Sequence, residues 1–153
     1  MQPMAATTWI LTSSPENHAA SASLDFSLIG IKERNRSRAE QIEPGDRIVL
    51  YLTRKMSFAG SITVKGSMFE DRTPIWPGKK GNPDIYPWRF ETRPELRLEE
   101  QDWIPAESLS GDLHHVGKWP AEHWRLAFQG QIRAVDQHDA ELLVKRLKAA
   151  SSG

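Results

Sequence analysis

The stretch from Thr8 to Asn17, TWILTSSPEN, does most to restrict what this chain can fold into. Thr8 to Ser13 is rich in β-branched and aromatic residues and reads as a strand. Ser14-Pro15-Glu16-Asn17 then starts a helix at once. Ser14 offers a capping hydroxyl, and Pro15 suits the first helical position because its missing N–H has no partner there anyway. A second signal answers it downstream. Glu43-Pro44-Gly45-Asp46 is a turn, and Arg47 to Thr53 (RIVLYLT) follows as a buried strand.

The rest of the chain continues in short elements. The helix from Pro15 runs to about Ser23, and Phe26 to Ile31 reads as a short strand. Asn35 caps a short helix through Gln41. Phe58 to Lys65 alternates and pairs with the strand before it, and Ser67 to Asp71 extends the sheet. Thr73 to Asp84 is a Pro- and Gly-rich loop with Lys79 and Lys80 at its tip. Ile85 to Leu98 is a long strand whose prolines, Pro87 and Pro94, mark an edge or a bulge. Pro105 to Leu109 is a helical turn, Pro120 to Phe128 a helix, and Gln131 to Val135 a last strand. Asp136 caps a terminal helix, Gln137 to Ala149, with Leu142, Leu143 and Leu147 at helical spacing. Five or six strands among short helices predict an α+β fold with a curved mixed sheet, not an alternating βαβ fold. One domain over 8–149 is expected, with tails at 1–7 and 150–153.

Composition bounds the function. Hydrophobic content of 39% and charged content of 26% fit a globular chain. There is no cysteine, which removes disulfides and thiolate chemistry and suits a cytoplasmic protein. No apolar run reaches membrane-spanning length, and the N-terminus carries no secretory signal pattern. The net charge of zero argues against bulk coating of nucleic acid. Residues 32–97 nonetheless hold 14 basic and 9 acidic groups, and residues 98–142 hold 3 and 9. Either a polarised or an ordinary mixed surface follows.

The order of these signals resembles the EVE family of PUA-like domains, small pseudobarrels related to the YTH readers of modified bases. The resemblance spans about residues 8–148. It rests on Trp9-Ile10-Leu11 with the Ser13-Ser14-Pro15-Glu16-Asn17 turn, on Gly30-Ile31 and the basic stretch Lys32 to Arg38, and on the Pro-Gly-Asp turn. Val49-Leu50-Tyr51, the Gly60 strand, Tyr86-Pro87-Trp88-Arg89 and the block from Trp124 to Arg133 complete it. It implies a pocket at the barrel mouth that holds a base, methylated bases included. In that reading Asn17 and the Ser13-Ser14 turn read the base edge. Many relatives carry a cage tryptophan at the step before Gly30, where this chain has Ile29. The walls would therefore be Ile29, Gly30, Tyr51 and Trp88. Lys32, Arg34, Arg36, Lys79 and Lys80 would hold phosphates. The partner implied is RNA or DNA; no cofactor and no membrane are expected, and the oligomeric state stays open, with a monomer favoured.

A base offers a π face and a hydrogen-bonding edge, so aromatic walls and a few polar groups are what such a site needs. Six tryptophans supply candidates. Trp9, Trp103 and Trp124 read as core, whereas Trp76, Trp88 and Trp119 sit beside loops. Asn17 can donate and accept at a base edge, or it can bond local backbone as a helix-start residue. Lys32, Arg34, Arg36 and Arg38 share one face if the run is extended and scatter if it is helical. His114-His115 is a weak metal pair, since adjacent rings rarely aim at one ion, and His123 and His138 have no ligand spacing. No nucleophile elbow or phosphate-loop spacing is present, so no catalytic residue is named. A small-molecule or protein-interaction module, or less readily a small hydrolase, is the alternative reading.

Overall fold

The computed structural model describes residues 6–77 and 85–151. Lys79 and Lys80 lie outside them. The chain runs β1 (Thr8–Ser13), α1 (Pro15–Ser23), β2 (Leu28–Ile31), a 3-10 turn (Glu33–Asn35), α2 (Arg36–Ala39), β3 (Arg47–Leu52) and β4 (Ser57–Val64). It continues through β5 (Phe69–Glu70), β6 (Trp88–Arg97), β7 (Ile104–Pro105), a series of 3-10 segments, β8 (Ile132–Val135) and α3 (Gln137–Ser151). Six strands form one path, β2-β6-β4-β3-β1-β8, with the two-residue β5 on β6 and β7 on β4. β1 and β3 are parallel, and every other pair is antiparallel. This is the expected α+β pseudobarrel.

β3 reads as one continuous apolar run because it is buried on both faces. Alternate side chains enter two cores. Trp9, Leu11, Ile48 and Leu50 pack inward with Phe26, Ile29, Ile31, Trp88 and Phe90. Ile10, Val49 and Tyr51 pack outward under Leu113, Phe128, Leu143 and Leu147. The Pro-Gly-Asp turn does more than reverse the chain. Gly45 takes a positive φ of 94°, and the Asp46 carboxylate accepts hydrogen bonds from the Thr7 and Glu43 N–H groups and the Trp9 indole, each at 3.0 Å. That knot ties the start of β3 to the start of β1.

Several boundaries move. β2 begins at Leu28 rather than Phe26, because Asp25 and Phe26 both take positive φ and turn the chain. Asn35 forms no side-chain cap; its amide instead donates to Gln131 at 3.3 Å. The stretch from Pro120 to Phe128 is 3-10, broken at His123. Pro94 sits where the β4–β6 register shifts, as a strand proline should.

Asp136 does cap α3, accepting the Asp139 N–H at 2.9 Å. Asp139 is itself buried and accepts the N–H groups of His114 and His115, both at 2.8 Å, which anchors α3 to the preceding loop. The fold makes one juxtaposition that ligand spacing along the chain does not show. His114 and His138 stack ring on ring at 3.8 Å, and their donor atoms and those of Asp136 and Asp139 all lie within 4.8 Å of one another. The anchoring of α3 accounts for both carboxylates.

Candidate functional site

β1 ends at the mouth of an open cleft of about 780 Å³. Ser13 and Ser14 lie on its lip, and α1 presents Asn17 and Ser21, one turn apart, along one side. β2 contributes Ile29 and Gly30, and Trp76, Pro77 and Tyr86 form an aromatic wall beside α1. Phe128 to Gln131 close the end next to β8.

The side chains are tied into one another. Ser14 is spent as the helix cap, accepting the Asn17 N–H at 3.1 Å. Asn17 donates its amide to the Tyr86 hydroxyl at 2.8 Å, and the Trp76 indole donates to the Ser21 hydroxyl at 2.8 Å. Trp76 and Tyr86 meet edge to face at 5.8 Å. Asn17 is 8% exposed, and its Oδ1 accepts no hydrogen bond among the described residues. An unpaired buried acceptor is costly, which marks this oxygen out among the polar atoms of the cleft.

Gly30 is there for a steric reason. A Cβ on it would stand 2.6 Å from the Trp76 ring and 2.7 Å from Tyr86 Cβ, too close for any other residue without movement of the wall. Gln131 braces the other side: its Oε1 accepts the Lys32 N–H at 2.7 Å, and its Nε2 donates to the Gly30 carbonyl at 3.1 Å. Lys32, Arg34 and Arg54, the last from the β3–β4 turn, also line the cleft. Arg54 is paired with Glu16, which holds that carboxyl below its usual range. Lys32 Nζ also lies 5.7 Å from the Tyr86 ring centre.

The expected site thus divides. Ser13, Ser14, Asn17, Ile29, Gly30, Lys32 and Arg34 come together. Tyr51 and Trp88 do not line the cleft, which corrects both. Tyr51 follows the outward parity of β3 and stacks on Phe128 at 4.4 Å, and burial pushes its hydroxyl pKa up. Phe128 is the ring of that pair that lines the cleft. Trp88 follows the inward parity of β6 beside Phe90, donating its indole to Glu33 at 2.7 Å. Arg36 also drops out, because the basic run is helical rather than extended. Its guanidinium lies 4.4 Å from the Trp88 ring and pairs with Glu40, while Arg38 reaches the Ile132 carbonyl.

Tyr86, Ser21, Arg54 and Gln131 were not singled out as site residues. Tyr86 had a signal, in the Tyr-Pro-Trp-Arg block. Gln131 had none, since its partners lie about a hundred positions earlier.

No family model and no curated protein matches the sequence. Solved structures do. The Mmi1 YTH domain superposes with a TM-score of 0.68 at 9% identity, over 97% of this chain and 92% of that one. The YTH domain of Zygosaccharomyces rouxii MRB1, solved in complex with N6-methyladenosine RNA, gives 0.66 at 15% identity, over 96% and 90%. A hypothetical protein from Leishmania major gives 0.66 at 13% identity, over 97% and 98%. The chain therefore has the YTH-type, PUA-like fold. At these identities the likeness is one of fold.

Proposed function

We propose that the protein is a nucleic-acid-binding module of the EVE type that takes one base, modified bases included, into the cleft lined by Asn17, Gly30, Trp76 and Tyr86. The observation that carries this reading is the buried Asn17 side chain, its Oδ1 unpaired among the described residues, in a cleft lined by the Trp76 and Tyr86 rings. A base amino group supplies the missing donor, and its ring supplies the stacking surface. Lys32, Arg34 and Arg54, the cations that line the cleft, would contact the phosphates next to an extruded nucleotide. The YTH structures of like fold, one of them holding N6-methyladenosine RNA, support the same reading. What supports binding over catalysis is the lining: hydroxyls, amides and rings, with Glu16 its one carboxylate among the described residues, tied to Arg54.

The test is fluorescence anisotropy with single- and double-stranded RNA and DNA, each with and without one N6-methyladenosine, across a salt series. Trp76→Ala is expected to lose about 1–3 kcal/mol of binding, the range for one stacked base. Asn17→Ala is expected to lose about 0.5–1.5 kcal/mol. The double change Lys32→Ala with Arg34→Ala leaves base preference intact and flattens the salt dependence by about 1.4 in log–log slope on single strands. Binding insensitive to both Trp76→Ala and Asn17→Ala sinks the proposal.

A further inference from the structure

Arg89 is the largest wholly buried side chain in the molecule's described part, at 1% exposure, and nothing in the cleft's lining accounts for it. Its place follows from register. Gly30 on β2 and Arg89 on β6 are direct partners, so their side-chain positions share the face opposite to Ile29, Ile31, Trp88 and Phe90. On that face the glycine lets Trp76 and Tyr86 pack directly onto the strand, and the arginine reaches out of the sheet. Its Nε donates to the Tyr86 carbonyl at 3.0 Å, and its Nη2 donates to the Thr73 carbonyl. Its Nη1 lies 3.5 Å from the Asp71 carboxylate, and the guanidinium carbon sits 5.1 Å from the Trp76 ring centre.

We infer that Arg89 is the positioning residue of the cleft's aromatic wall, gripping from behind the two chain segments that carry Trp76 and Tyr86. The inference rests on the cleft being the ligand site, but its structural half stands alone. A planar fork with fixed donor directions can hold two carbonyls from different segments at once, which a lysine ammonium on a flexible stem does poorly. The arrangement is also a poor way to gain stability. Nη1 makes no hydrogen bond among the described residues, Asp71 is partly solvated, and burial lowers the guanidinium pKa. Buried charges so incompletely paired are commonly matched or bettered by apolar packing. A group that contributes geometry rather than stability fits these facts.

The consequence is a separation of two readouts. In Arg89→Met the fold persists, and the wall loosens. The Trp76 indole N–H, held by Ser21 in the native protein and assigned by its loss in Trp76→Phe, should exchange with solvent at least tenfold faster by NMR. Affinity for a fluorescein-labelled single-stranded RNA carrying one N6-methyladenosine should fall about tenfold or more. The salt slope of that binding should not change, since no phosphate contact is touched. Arg89→Lys should fall between wild type and Arg89→Met, and it carries the test if the Met variant does not fold. Unchanged Trp76 exchange in the folded variant overturns the inference. Faster exchange with no RNA binding even by the wild type upholds the positioning role and overturns the ligand reading instead.

Discussion

The two faces of the β2–β6 pair are held in opposite ways. Inward, Ile29, Ile31, Trp88 and Phe90 join a continuous apolar cluster in which each residue touches many others. Outward, a glycine, one buried cation and a few hydrogen bonds hold Trp76 and Tyr86 against α1. Apolar packing is non-directional and shared among neighbours, so it sets stability. A polar clamp is directional and hangs on single atoms, so it sets shape. The same four-residue strand therefore serves the core with Ile29 and Ile31 and the cleft with Gly30, and Ile29 reaches both.

The sharpest way to break this contrast is to cut the inward face. Phe90→Ala, at a position with no exposure, should cost about 3–5 kcal/mol in denaturant unfolding. The folded fraction should keep its cleft and bind as wild type. Gly30→Ala is the outward counterpart. Its new Cβ must displace the Trp76 ring or Tyr86, at about 1–3 kcal/mol of stability, and RNA affinity should fall with it. Equal binding losses from both variants would erase the distinction.

The smallest effect is in pH. His115 is buried, bonds the Ala127 carbonyl at 2.7 Å, and burial lowers its pKa below the ordinary 6.5. The unfolded chain then binds a proton that the native chain refuses. Its contribution is complete above 6.5 and is lost as pH falls from there towards the lowered native value. His18, lowered by burial too, acts in the same sense. Exposed His114, raised by its hydrogen bond to Asp136, acts oppositely: its share is present below 6.5 and lost as pH rises through the raised value. Comparing unfolding free energies of wild type and His115→Gln from pH 7.5 to 5 isolates the first term. A gap between them that stays constant with pH removes His115 from the account.

What could be read from the residues was the local chemistry. The Ser14 cap, the Pro15 start, the Pro-Gly-Asp turn and the Asp136 cap each need only neighbours within a few positions. Parity was harder. A buried strand such as RIVLYL is apolar on both faces, so nothing in it says that Tyr51 faces outward, and Trp88 and Arg89 can be told apart only once the register of β2 on β6 is known. The basic run failed for a related reason: its placement depends on whether it is extended, and the 3-10 turn and α2 make it helical. Gln131 and Arg54 reach the cleft through contacts far apart in sequence, which local pattern does not encode.

One pairing has a consequence for how the protein is made. β1 lies between β3 and β8, so residues 8–11 are hydrogen-bonded to residues 132–135. β1 can meet β3 early in synthesis, but its other edge stays open until residues 132–135 have emerged. Phe128 and Gln131 emerge just before β8, so the cleft cannot close until they have. A nascent chain stalled before residue 130 would carry an exposed strand edge and no finished site, the state in which such sheets are most open to mispairing.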